Sequence, residues 1–264
     1  MKKKFYYHVF LSDDFGTWSS IVTEQFKLME DHYLIDVLDE VHINCIYNSD
    51  IARDAFTVLA NIYFKDPSIR YYKNTIGSDN SSDYLRKLDT NVSLTENITL
   101  KQIYDDSQKE DFNIFYSHSK GVTSVGKCLK QMKVEDYLKY FYWRQYLNWA
   151  VIENWKSCVD AIDNGYDLSS SNFMLNPYPH ISGNMWWGKS SYIRTLPDPT
   201  DVTWYRQMQE ASRDWGFRTA PLRYRDELWV TSLNNFKINL IETVEYENNP
   251  AYKIVPRRNY VKST

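Results

Sequence analysis

Apolar residues in the first half of the chain follow two alternating periods. Residues 5–11 form an aromatic and β-branched run, which predicts a strand. Trp18, Ile21, Val22, Phe26, Met29 and Tyr33 then recur at steps of three and four, which predicts an amphipathic helix. The alternation continues with a strand over 40–47, a helix over 52–63 and a short strand over 69–73. Residues 77–91 are polar and turn-rich. A short helix is expected over 95–104, with Thr95 or Asn97 as its cap. A compact strand over 111–116 runs into His118-Ser119-Lys120-Gly121. Strands alternating with helices predict an α/β fold, a mostly parallel central sheet with helices on both faces.

The second half reads differently. Leu138, Phe141, Trp149, Ile152, Trp155, Val159 and Ile162 mark one long helix over 134–164, ended by Asn164-Gly165. After a loop come the run His180 to Gly188, a short helix over 192–196, Pro197-Asp198-Pro199, and a helix opening near Arg223 to Val230. No repeat or low-complexity linker divides the chain. A single domain over 1–248 is expected, in two halves, 1–121 and 122–248, with a basic, polar tail over 249–264.

Composition narrows the function classes. The 31 Lys and Arg against 34 Asp and Glu give a formal charge of −3, without the basic excess of a nucleic-acid binder. No apolar run approaches the roughly 20 residues of a membrane span. Cys45, Cys128 and Cys158 are odd in number and contain no Cys-x-x-Cys, so neither a disulfide framework nor a zinc knuckle is expected. The apolar run after Lys2-Lys3-Lys4 is too short for a secretory signal and contains His8, which predicts a cytoplasmic location. The aromatic fraction is 16 %, with 22 Tyr and 9 Trp. Tyr and Trp need partners for their polar ends when buried. The excess therefore reflects either a compositional bias or a surface that stacks on flat or ring-shaped ligands.

The motifs of nucleophile elbows, P-loops, dinucleotide folds and zinc peptidases are missing from the sequence. Three local clusters remain. His118-Ser119-Lys120-Gly121 ends a strand, where open α/β sheets bind ligands, and a lysine on a tight turn there can meet a phosphate. The plainer reading is a turn with an exposed lysine. In Ser182-Gly183-Asn184-Met185-Trp186-Trp187, glycine allows close backbone approach, asparagine offers a donor and an acceptor, and tryptophan suits sugar faces. Adjacent strand residues point to opposite faces, so at most one tryptophan is expected to face a ligand and the other to be core. Arg225-Asp226-Glu227 sets adjacent carboxylates beside arginine, either as a general base with an orienting partner or as an acidic helix start.

Together these clusters resemble a family of glycosyltransferases found in bacterial polysaccharide clusters and in large DNA viruses that glycosylate their own capsids. The similarity runs from Tyr7-His8-Val9-Phe10 through Val41 to Ile46, Thr99-Leu100, His118 to Gly121 and Trp143-Arg144. It continues through His180-x-Ser-Gly-Asn-x-Trp-Trp, Tyr192-Ile193 and Leu196-Pro197 to Glu227-x-Trp229-Val230. The resemblance implies a GT-A-like, Rossmann-like fold and transfer of a sugar from a nucleotide sugar, UDP-linked by expectation, to a glycan or glycoprotein hydroxyl.

On that pattern Val9, Leu11 and Asp13 would hold base and ribose. His118, Lys120, Gly121 and Arg144 would meet the diphosphate. His180, Ser182, Gly183, Asn184, Trp186 and Trp187 would position sugar and acceptor, and Glu227 or Asp226 would act as base in an inverting displacement. Enzymes of GT-A type usually hold Mn²⁺ or Mg²⁺ with Asp-x-Asp, and here that place reads His118-Ser119-Lys120. Asp79, Asp83, Asp105 and Asp106 are the remaining candidate ligands. Two other classes stay open: a non-catalytic carbohydrate-binding protein, and another nucleotide-dependent α/β transferase such as a methyltransferase.

Overall fold

The computed structural model describes residues 1–74, 95–119, 134–176, 178–220, 224–233, 235–242, 257 and 260. The turn-rich stretch over 77–91, Cys128, the candidate residues Asp79, Asp83, Lys120 and Gly121, and most of the tail lie outside the described residues.

Strand β1 (Lys3–Leu11) is the centre of the fold and is almost wholly buried. It pairs in parallel with β2 (Glu40–Tyr47) on one side and β4 (Asn113–His118) on the other. Strand β3 (Ser68–Lys73) extends the sheet in parallel beyond β2. On the far side of β4, β8 (Trp186–Lys189) runs antiparallel, followed by β5 (Leu168–Ser170) and β9 (Ile238–Leu240). The order β3-β2-β1-β4-β8-β5-β9 makes a seven-stranded, mostly parallel sheet, the α/β architecture expected from the alternating periods and Rossmann-like in plan.

Alternation along β1 sorts its side chains between two cores. Phe5, Tyr7, Val9 and Leu11 pack under α1 (Phe15–Asp31) and α2 (Asp50–Tyr63). Tyr6 joins Leu100 and Ile103 of α3 (Asn97–Ser107) on the opposite face. Helix α1 starts at Asp14, whose carboxylate accepts from Thr17 N, and α2 starts at Ser49, whose hydroxyl accepts from Ala52 N. Tyr33 leaves the apolar stripe: it follows the end of α1 with φ 57° and is 70 % exposed. Helix α3 is entered through Glu96, already in helical conformation, and of the two expected caps it is Thr95 that acts, its Oγ1 accepting from Asn97 N at 3.4 Å.

The long helix expected over 134–164 is broken. Helix α4 (Val134–Asn148) passes into a π-helical turn (Trp149–Glu153) and then into α5 (Trp155–Asp163). Side-chain donors add to the backbone bonds at this point, where Trp149 O still accepts from Asn154 N at 3.1 Å. Asn154 Nδ2 donates to Trp149 O at 2.9 Å, and Trp187 Nε1 donates to Val151 O at 2.8 Å. Gly165, with φ 93°, follows the helix end as expected.

Between β5 and β8 a small antiparallel pair forms from β6 (Phe173–Met174) and β7 (His180–Ile181). A short helix, α6 (Ser190–Ile193), leads on from β8. Helices α7 (Thr203–Ala211) and α8 (Trp215–Arg218), which the apolar pattern did not announce, follow it, and α9 (Tyr224–Leu228) completes the C-terminal half. Tyr205, Phe217 and Leu228 join them in a third, small core. Tyr260 returns to pack on Tyr146 and Trp149. No described helix is long and apolar enough to cross a membrane.

Candidate functional site

Parallel pairing brings the carboxyl ends of β1 to β4 to one edge. There His118, the last residue of β4, lies in register with His8 of β1. His118 Nε2 donates to Gly183 O at 2.8 Å, and its Nδ1 lies 3.5 Å from Glu96 Oε1. Glu96 Oε2 accepts from Tyr116 Oη at 2.8 Å and from Asn184 Nδ2 at 2.7 Å. Gly183 and Asn184 form a left-handed turn, with φ of 97° and 48°. Asn184 Oδ1 accepts from Trp186 Nε1, and its Nδ2 also donates to Asp226 O at 3.1 Å. The turn is thereby fastened to both β4 and α9.

Asp226 is 3 % exposed. Thr95 Oγ1 donates to its Oδ2, Asn97 Nδ2 lies 3.5 Å from its Oδ1, and Arg225 Nε is at the same distance from that oxygen. Burial pushes its carboxyl up to about 6, and the charge of Glu96 adds to this, against the pull of Arg225 and Thr95. His8 Nδ1 lies 3.0 Å from Thr99 Oγ1, and burial lowers its imidazole to about 4.

Glu227 has the other environment. It lines a surface pocket of about 330 Å³ with His180, Asp214, Phe217, Tyr224 and Leu228. Asp214 is held there by its own helix, accepting from Gly216 N at 2.8 Å. His180 Nδ1 donates to Tyr178 O at 2.8 Å. The two adjacent carboxylates singled out in the sequence are therefore split, one sealed in a polar network and one open to a cavity.

The remaining expectations divide. His118, Gly183, Asn184 and Asp226 are brought into one network, and His180 joins Glu227 at the pocket. Ser182 is half-buried, its N donating to Asn172 O and its O accepting from Asn172 Nδ2. Asp13 is exposed just beyond β1. Val9 and Leu11 are fully buried, so their side chains serve the core rather than a ligand. Arg144, expected at the diphosphate, is paired with an acidic side chain. Its guanidinium forms a fork on Glu24, with both contacts at 3.2 Å, and its side chain is 6 % exposed.

Trp186 and Trp187 are both fully buried, so the core position expected for one of them is taken by both. Trp187 stacks on Phe115 at 4.9 Å, and Trp186 packs on Tyr116 at 5.3 Å. Asp105 and Asp106 sit at the opposite end of α3 from Glu96, paired with Lys101 and Lys109. Among the described residues no three His, Cys, Asp or Glu side chains gather as a metal site.

Sequence reasoning missed Glu96, the carboxylate on which three donor-bearing side chains converge. Thr95-Glu96-Asn97 reads as an ordinary helix start, and only the pairing of β4 with β8 brings Tyr116, His118 and Asn184 onto it. No curated protein matches the chain. Residues 6–238, a span that contains every candidate residue named above, match the family described as a domain of unknown function (DUF8361). The chain belongs to that family.

Proposed function

We propose that the protein is an inverting, nucleotide-sugar-dependent glycosyltransferase of GT-A type in which Glu227 is the general base. The observation that carries this reading is the division of labour between neighbours: Glu227 opens on a pocket, while Asp226, tied to Thr95, Asn97 and Arg225, fixes the backbone from which Glu227 projects. A base has to reach the hydroxyl it deprotonates, and Glu227 satisfies that where Asp226 does not. The sheet order supports the fold assignment, with parallel strands whose carboxyl ends form a ligand edge and one antiparallel strand beyond β4.

In this reading a UDP-type donor lies across the ends of β1 and β4, and the acceptor, a glycan or glycoprotein hydroxyl, enters the pocket of His180, Tyr224 and Glu227. The carboxylate takes the hydroxyl proton as the oxygen attacks the anomeric carbon, and the nucleoside diphosphate leaves from the opposite face. His118 and Arg144 face Glu96 and Glu24, so the charge growing on the diphosphate is assigned to Lys120. Among the described residues no cluster of carboxylates gathers to hold a divalent ion. A cytoplasmic site of action belongs to the same proposal.

The test is turnover of a UDP-sugar panel with glycan acceptors. Glu227→Gln is expected to lose about 10²–10⁴-fold in kcat, the usual contribution of a general base. Asp226→Asn is expected to lose less. Turnover of Glu227→Gln near that of the unaltered protein removes Glu227 as base.

A further inference from the structure

The geometry assigns His118 and Glu96 to a buried imidazolium–carboxylate pair that positions the Gly183–Asn184 turn, and through it Asp226 and Glu227, instead of touching a ligand. The catalytic consequence rests on the proposed function; the protonation state does not.

A carbonyl only accepts, so the 2.8 Å contact to Gly183 O places a proton on His118 Nε2. In a neutral ring Nδ1 is then a bare lone pair, and it faces Glu96 Oε1 at 3.5 Å. Two acceptors in contact repel, whereas a second ring proton turns the contact into a charge-assisted one. Glu96 is held as the carboxylate by the two donors on its other oxygen, Tyr116 Oη and Asn184 Nδ2. The neighbouring titratable and charged groups are His8 on β1, Tyr116 on β4, and Arg225, Asp226 and Glu227 on α9. His8, lowered by burial against the pull of Glu96 and with a smaller push from His118, is the neutral partner of the two histidines.

The pair then acts on the turn from both ends. His118 holds the Gly183 carbonyl and Glu96 holds the Asn184 amide, which in turn donates to Asp226 O. Gly183 takes its positive φ freely, whereas Asn184, at φ 48°, sits in a conformation that its surroundings have to hold. The carbonyl of His118 is itself fixed by Gln25 Nε2 at 3.2 Å, and Gln25 also donates to Asn148, so β4, α1 and α4 close around the same point.

The experiment is ¹⁵N NMR of histidine-labelled full-length protein, with the His118 ring assigned by His118→Gln. The expected spectrum at pH 7.5 has both His118 nitrogens protonated, and in Glu96→Gln the ring becomes the neutral Nε2–H tautomer. A neutral His118 in the unaltered protein overturns the pair, whether or not Glu96→Gln folds. A doubly protonated His118 that persists in folded Glu96→Gln overturns the role of Glu96. In the transfer assay Glu96→Gln is expected to lower kcat at least tenfold with donor KM within about twofold, and a KM effect alone contradicts positioning. If no UDP-sugar is consumed, the glycosyltransferase reading fails while the spectrum still decides the pair.

Discussion

At the residue scale the turn at Gly183 and Asn184 sets the tightest constraints. A Cβ on Gly183 would sit 2.5 Å from Leu147 Cδ1, and φ 97° is costly for any other residue. Gly183→Ala is expected to lower unfolding stability by about 1–3 kcal/mol, measured by urea denaturation. Asp226 makes a separate, pH-dependent prediction. Its folded value of about 6 lies above the ordinary 3.8, so folding favours the protonated form. The associated stability is fully present below pH 3.8 and is lost as pH rises through 6, a difference of about 3 kcal/mol. Asp226→Asn, which cannot ionise, is expected to gain stability relative to the unaltered protein between pH 4 and pH 7. Parallel urea curves at the two pH values check the sign, and a constant difference between the proteins contradicts the buried carboxyl. The Ser-Gly-Asn segment and the adjacent carboxylates were legible as chemistry because chemically able side chains stood next to one another in the chain. The role of Glu96 was not legible, since its partners are contributed by residues 116, 118 and 184.

At the element scale, period alone located the strands and the helices of the first half to within a few residues. It failed at the π-helical turn, whose carbonyls take added side-chain donors from Asn154 nearby and from Trp187 across the core. Trp187→Phe keeps the stack on Phe115 and leaves the buried Val151 carbonyl without its indole donor. The expected cost is about 1–3 kcal/mol in urea unfolding, the price of an unmet buried polar group. An unchanged midpoint contradicts the view that this bond shapes the turn. Helices α7 and α8 were not legible for a different reason. Each buries only one side chain, Tyr205 and Phe217, too few to set up a periodic stripe.

At the scale of the whole molecule, the aromatic excess is largely a matter of packing. Trp18, Trp186, Trp187 and Trp229 are fully buried, as are Tyr6, Tyr7, Tyr116, Tyr146 and Tyr205, and most have a hydrogen-bonded polar end. Of the aromatic side chains, Tyr224 and Phe217 line the surface pocket beside Glu227. Strand alternation made the parallel half of the sheet legible, but the antiparallel insertion of β8 depends on a pairing that no local pattern encodes. The functional reading stands on what this sheet edge binds. Calorimetric titration of the full-length protein with UDP, with S-adenosylmethionine as the comparison, measures that directly. Saturable one-to-one binding of UDP, weakened at least tenfold by Lys120→Ala and not matched by S-adenosylmethionine, is the expected result. No heat with UDP, or equal affinity in Lys120→Ala, would contradict it.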